Sequence, residues 1–307
     1  WSAIQVPTMS FYEYCELLNV DRPNLPDDLK ITPLVYKTQQ ERTQIMLQLS
    51  KVHNYFNRYL QVGGFPELAL ADNHILAQQI MREDVVDKVL KRDLPSLYKI
   101  RNATELERIF LYLCNVSSEI VSIEAIAKEL SGVSRPTVEN YIQYLESANL
   151  IYQSWPVNIG GKKILKARPK IYIADAAIRN AVLMDDSLLS DPVEMGKIVE
   201  TAVYKHVAAF YYQQATSVGY YRGGSHGKEI DIVVEYSTAR DILIEVKYRE
   251  EAPIPDDAAI VELSGDAAAS IVVTKNANDF GVHHTKSGKD LIRIPAFAFL
   301  YLLGHAE

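Results

Sequence analysis

Residues 39–60 carry Ile45, Met46, Leu49, Val52, Tyr55 and Phe56 at helical spacing, so the pattern predicts one long amphipathic helix there. Before it, the short extended piece Ala3-Ile-Gln-Val-Pro7 leads into Ser10-Phe-Tyr-Glu13, whose spacing is that of a capping box at a helix start. Asn24 to Asp28 is turn chemistry, and Gly63-Gly-Phe-Pro-Glu67 breaks the helical pattern sharply. A mostly helical stretch is expected from Asn73 to Leu97, its apolar face made by Ile80, Val85, Val86, Val89 and Leu90. Another helix follows over Glu105 to Leu113. Ser122 then caps a helix through Ile126 and Leu130, and Gly132 supplies a tight turn. Ser134 caps a second helix with Pro136 in its first turn and Val138, Tyr141, Ile142 and Leu145 on its buried face. This is a helix-turn-helix pattern, and Ile151-Tyr152 with Ile164-Leu165 around Gly160-Gly161 reads as the hairpin wing of a winged helix.

From Lys170 onward the texture changes to alternating strand and helix. Strands are expected near 217–222, 228–236, 241–249, 270–275 and 290–294, with helices over 192–212, 256–268 and 296–304. The fold class is therefore mixed: an all-α part, a winged helix-turn-helix and an α/β domain with a central mixed sheet. The expected boundaries are a helical segment over 1–104, the winged helix over 105–168 and the α/β domain over 169–307.

Composition narrows this picture. At 307 residues, with 48% apolar and 23% charged, the chain is long enough for two or three packed units and is not a disordered sequence. A net charge of −7 means that any nucleic-acid surface has to be local. Two cysteines make neither a disulfide framework nor a cysteine-rich zinc site, so a reducing, cytoplasmic location is expected. No apolar run has the length of a membrane span, and no membrane partner is expected. Trp1 opens the chain without an initiator Met, which suggests a fragment of a longer protein.

The candidate chemistry lies in two strand-like runs, Gly227-Lys-Glu-Ile-Asp-Ile-Val-Val and Asp241-Ile-Leu-Ile-Glu-Val-Lys247. Alternation puts Glu229, Asp231 and Val233 on one side of the first strand, leaving Ile230, Ile232 and Val234 to the core. It puts Leu243, Glu245 and Lys247 together on the second. Asp231 and Glu245 meet only if antiparallel pairing opposes residues of even index sum, with an odd-numbered connection such as three residues centred on Thr238. Glu200, at the edge of the apolar stripe Met195, Val199, Val203, His206 or Val207, and Phe210, offers a third carboxylate. Glu200, Asp231 and Glu245 are the candidate ligands for Mg²⁺ or Mn²⁺, which prefer oxygen donors. Lys247 would orient or deprotonate an attacking water. The bland alternatives are a half-exposed Asp231 beside a turn and an E-x-K triplet arising by chance.

Glu200, Asp231 and Glu245-Val-Lys247, in this order, resemble the PD-(D/E)XK nuclease superfamily, whose core is αβββαβ. Pro169-Lys-Ile-Tyr-Ile-Ala-Asp175, Gly196-Lys-Ile-Val-Glu200, Tyr220-Tyr-Arg222, Glu229-Ile-Asp231 and Ile244-Glu-Val-Lys247 are similar to a domain of unassigned function that follows the core of a family of prokaryotic AAA-type ATPases. Ser10-Phe-Tyr-Glu13 and Gly63-Gly-Phe-Pro-Glu67 resemble that family too. The resemblance implies that residues 1–104 are a lid remnant of the ATPase core. It also implies that the phosphate-binding loop lies before Trp1, and that ATP binding and any oligomer belong to the full-length protein. No G-x-x-x-x-G-K-[ST] occurs here, since Arg222 stands where the first glycine of Gly227-Lys228 belongs. The function expected from the residues and the resemblance is DNA engagement with metal-dependent phosphodiester cleavage. The alternative is a catalytically inactive nuclease-fold adaptor that binds DNA or a protein partner.

For DNA, the second helix of the helix-turn-helix would present Arg135, Thr137, Asn140, Gln143 and Tyr144. Lys162, Lys163, Lys166, Arg168 and Lys170 put five cations into nine residues of the wing. Glu139 and Glu146 count against a phosphate-bound helix. None of the seven histidines has metal-ligand spacing: His283-His284 are expected on a loop, and His206 on an apolar helix face. Asp175 reads as a helix cap or a support for the contact between the winged helix and the α/β domain.

Overall fold

A computed structural model of the chain describes residues 6–71, 73–130, 132–157, 167–184, 190–223, 227–286 and 290–305. Helix α1 (Phe11–Leu17) starts at a complete capping box, in which Ser10 and Glu13 each accept the other's backbone amide. Helix α2 (Gln39–Val62) buries Ile45, Leu49, Val52, Phe56 and Tyr59 and stops at Gly63, whose φ of +68° favours glycine. The short helix α3 (Pro66–Ala69) follows. The path from α4 (His74–Ile80) to α5 (Leu94–Tyr98) stays helical, with wider π-type turns over Met81–Asp87 and Val89–Asp93.

Helix α6 (Ala103–Asn115) packs on α8 (Arg135–Ser147), which pairs with α7 (Ile123–Glu129). The caps Ser122 and Ser134 and the positive φ of Gly132 fall where the sequence puts them, and α8 buries Val138, Tyr141, Ile142 and Leu145. Three strands, β1 (Glu119–Ile120), β2 (Ile151–Ser154) and β3 (Lys170–Ile173), form an antiparallel sheet in the order β1-β3-β2. Lys170–Ile173, counted from the sequence with the last region, is thus the centre strand of this first sheet.

Helices α9 (Ala176–Leu183) and α10 (Pro192–Tyr211) lead into a six-stranded mixed sheet. Its strands are β4 (Ser217–Gly223), β5 (Lys228–Glu235), β6 (Ile242–Lys247), β7 (Ala269–Thr274), β8 (Gly281–His284) and β9 (Asp290–Pro295), in the order β4-β5-β6-β7-β9-β8. β4, β5 and β6 are antiparallel neighbours, and β6, β7 and β9 run parallel. α11 (Ala259–Leu263) crosses from β6 to β7 and is shorter than expected; α12 (Ala296–His305) closes the chain. β8 was not foreseen, and it corrects the placement of His283 and His284, which lie on this edge strand rather than a loop. Nor is α10 a one-striped helix: Ile198, Thr201, Ala202, Tyr204 and Lys205 are buried along with Val199 and Val203, because sheet, α9, α12 and β3 surround it.

The main core runs from Phe11 and Tyr14 through α2 and α10 to Phe297 and Phe299, so the regions share one apolar interior. A second, smaller cluster lies on the other face of the six-stranded sheet, under α11. Among the described residues, no helix is long and apolar enough to cross a membrane.

Candidate functional site

β5 and β6 pair as Ile232↔Ile244, Val233↔Leu243 and Val234↔Ile242, an even index sum centred on Thr238. The even index sum is therefore met over these three pairs, although the connection is longer than three residues. The simple alternation along β5 is not. Gly219 opposes Val233 while Tyr221 opposes Ile230, so Asp231 and Ile232 together stand against Tyr220 in a β-bulge. As a result Ile230 joins Val233 and Leu243 in the cluster under α11, while Ile232 and Val234 pack in the main core. The expected aliphatic face Ile230/Ile232/Val234 is thus split. The bulge turns Glu229 and Asp231 toward α10, which carries Glu200.

A cation already lies where these carboxylates converge. Lys170 Nζ is 2.7 Å from Glu200 Oε1, 3.0 Å from Glu229 Oε1 and 3.0 Å from Asp231 Oδ1. The Lys170 side chain is only 3% exposed. Placing Lys170 on the basic wing is therefore wrong: β3 is the middle strand of its sheet and points this side chain inward. Tyr172, on the same face of β3, donates its hydroxyl to Glu200 Oε1 at 2.9 Å and stacks on Tyr204 at 4.0 Å. Asp231 Oδ2 accepts the Val246 amide at 2.9 Å, so a side chain continues the β5–β6 ladder just beyond its last backbone pair.

Glu245 and Lys247 form a salt bridge with each other beside this cluster. Glu245 Oε2 is buried without a hydrogen-bond partner. Burial, and next the charge of Asp231, push the Glu200 carboxyl up to about 8. The same two causes push Glu245 to about 7. Burial alone would depress the Lys170 ammonium, but its negative partners, Asp231, Glu200 and Glu229 among them, hold its pKa well above the ordinary lysine value. Four carboxylates thus face two ammoniums, and protonation of Glu200 and Glu245 offsets the excess negative charge.

The donor set is chemically suited to a hard divalent ion, but its arrangement is not. Lys170 and Tyr172 engage Glu200 Oε1, and Lys170 and the Val246 amide engage the two Asp231 oxygens. No three His, Cys, Asp or Glu side chains are grouped to hold a metal among the described residues. As they stand, these residues do not fit Mg²⁺ or Mn²⁺.

The nucleic-acid candidates fare unevenly. Arg135 is exposed, but its guanidinium lies 2.8 Å from Glu124 and 2.8 Å from Glu139. Asn140, Gln143 and Arg168 are exposed, whereas Tyr144 stacks on Tyr98 at 3.8 Å and is not free to meet a base. Lys162, Lys163 and Lys166 lie outside the described residues.

A second polar centre escaped the sequence reading. Lys205 Nζ reaches Asp175 Oδ2 at 2.9 Å, the Met9 carbonyl at 2.8 Å and Tyr59 Oη at 3.0 Å. Asp175 caps α9 through the Ala177 amide, and it also accepts from the Gly64 amide and the Thr8 hydroxyl. It therefore caps its helix as expected, but its other partners are Lys205 of α10 and the N-terminal segment rather than the helix-turn-helix region. His206 accepts the Phe11 amide at Nε2, 2.8 Å away, so the proton sits on Nδ1 and goes to the Ala202 carbonyl. Burial, helped by the neighbouring Lys205 charge, lowers His206 to about 3 and keeps it neutral. The signal for this centre was the Gly63-Gly64 pair: a Cβ on Gly63 would lie 2.0 Å from Asp175 Oδ1, and one on Gly64 would lie 2.2 Å from the Met9 carbonyl.

Residues 195–297 match the family described as a domain of unknown function (DUF4143), a domain found in AAA-ATPase-associated proteins. Residues 53–189 match a second domain of unknown function (DUF8612). Over 261 residues the chain is 24% identical to an uncharacterized protein of Methanocaldococcus jannaschii, covering 82% of this chain and 56% of that protein. An uncharacterized protein of Haemophilus influenzae is 25% identical over 156 residues, half of this chain and 38% of its own length. One of Mycobacterium tuberculosis is 29% identical over 160 residues, 51% of this chain and 35% of its own length. The chain thus spans from about a third to little over half of these relatives. No solved structure matches it.

Proposed function

We propose that this chain is the C-terminal region of an AAA-type ATPase, in which a winged helix and a PD-(D/E)XK-like domain act together as an adaptor that does not cut nucleic acid. The observation that carries this reading is the Lys170 ammonium, buried among the carboxylates that a metal-dependent nuclease would keep open for its ion. The helix, three antiparallel strands, crossover helix and parallel strand from α10 to β7 support the nuclease-like descent of the fold. A protein rather than DNA is the partner favoured by α8, where Glu139 and, from α7, Glu124 already neutralise Arg135. Control would come from the ATP-binding core of the full-length protein, which is also where oligomerisation would arise.

A second reading, the metal-dependent phosphodiesterase, draws support from the Glu245–Lys247 pair and the unpartnered Glu245 Oε2 beside Asp231. It requires Lys170 to leave the cluster. Incubating the chain with single- and double-stranded DNA in Mg²⁺ or Mn²⁺ tests the choice: the adaptor leaves the substrates intact. Cleavage that disappears in Asp231→Ala would sink the adaptor reading. Fluorescence anisotropy with the same DNA tests the partner, and weak, salt-abolished binding is expected.

A further inference from the structure

We infer that Lys170 is the resident cation of this site, its ammonium holding from within the chain the position that a divalent ion holds in a carboxylate centre. The inference rests on the nuclease-like reading of the fold and says what replaced the metal. An ammonium has three N–H donors and no acceptor, and Lys170 spends them on Glu200, Glu229 and Asp231 at 2.7–3.0 Å. Its Nζ lies 5.8 Å from the Tyr172 ring centroid, and the side chain is 3% exposed.

The backbone is fixed as well. β3 is paired on one side with β1 and on the other with β2, and Tyr172 next to it is fully buried. Lys170 enters from the first sheet, whereas Glu200 sits on α10 and Glu229 and Asp231 on β5. The cluster therefore joins the helix-turn-helix region to the α/β region, as a structural ion would. One ammonium supplies a single positive charge and no open coordination position, so the centre keeps the clamping role of a metal and loses its ability to activate water.

Removing the ammonium while keeping the stem should restore an oxygen-only site. Lys170→Met leaves Glu200, Glu229 and Asp231 around a gap, with Glu245 Oε2 still unpartnered nearby. Mn²⁺ is titrated against wild type and Lys170→Met, with binding followed by electron paramagnetic resonance and folding by thermal unfolding. The expected result is no saturable binding in the wild type. Lys170→Met should take up one Mn²⁺ per chain at least tenfold more tightly, with a rise in Tm, and Lys170→Met/Asp231→Asn should lose both. A folded Lys170→Met that takes up no Mn²⁺ overturns the inference, as does saturable wild-type binding that Asp231→Asn removes. If Lys170→Met does not fold unaided, refolding with and without Mn²⁺ decides: rescue by the ion supports the inference, and failure in both conditions overturns it. DNA cleavage by the wild type would instead count against the adaptor reading, leaving the Lys170→Met titration to judge the cation.

Discussion

Two buried lysines hold this molecule together in different ways. Lys205 meets one carboxylate, Asp175, and two neutral acceptors, and Asp175 is completed by two backbone amides and a hydroxyl. Burial alone would raise the Asp175 carboxyl, yet Lys205 and these donors hold it below the usual range. Lys170 meets three carboxylates, with a fourth nearby, and two of the four, Glu200 and Glu245, are pushed far upward. A matched pair is what a structural joint requires. An excess of carboxylates whose protonation is displaced is what catalytic sites carry, and here that excess persists around an ammonium. The contrast separates a matched ion pair from a cluster with more carboxylates than ammoniums.

The largest effect should come from breaking the matched pair. Asp175→Ala leaves the Lys205 ammonium buried against carbonyl and phenol only, and is expected to cost about 3–5 kcal/mol in chemical denaturation. A loss comparable to that of an exposed ion pair would erase the contrast.

The next effect concerns the unmatched cluster. Glu200 titrates at about 8 when folded and near 4.5 in the unfolded chain, so between those values the native state holds the extra proton. Its contribution to stability falls as pH rises through that window, is wholly lost above about 8, and is unchanged below about 4.5. Glu200→Gln should flatten the decline by a few kcal/mol across the window, as read from denaturation midpoints at several pH values. An equally steep decline in the variant would show that the excess charge lies elsewhere.

Gly64→Ala tests the joint from its other side. The added Cβ would meet the Met9 carbonyl at 2.2 Å, so the segment has to shift, at about 1–3 kcal/mol. Enhanced proteolysis before α1 should accompany the loss. The smallest effect is expected at Arg135, whose pairs with Glu124 and Glu139 are exposed. Arg135→Ala should change stability by no more than about 1 kcal/mol. It should also leave DNA anisotropy unchanged, and a marked loss of DNA binding would restore the recognition-helix reading.

Much of the local structure was legible because it is local. Ser10, Ser122 and Ser134 announce helix starts through side chains that reach amides three residues on. Period-two and helical patterns placed five of the six strands of the larger sheet, and only the short edge strand β8 was missed. The candidate residues were legible in part: Glu200 and Asp231 do meet, on Lys170, and Glu245 pairs with Lys247 beside them. What misled was Lys170, whose neighbours Lys166 and Arg168 make it read as surface charge although β3 runs into the interior. The alternation argument also failed where a bulge added one residue to β5, since a bulge depends on how two strands fit and leaves no mark in either one alone.

The amino-acid sequence by itself thus determined the helix caps, the strand-forming runs and the identity of the acids. These follow from interactions within a few residues, or from a side-chain period that burial enforces. Only the tertiary structure decided that Lys170 fills the cluster and that Lys205, 196 residues from Met9, anchors the N-terminal segment. Both depend on which distant groups share a buried space, where a charge has to find its partners because water cannot supply them.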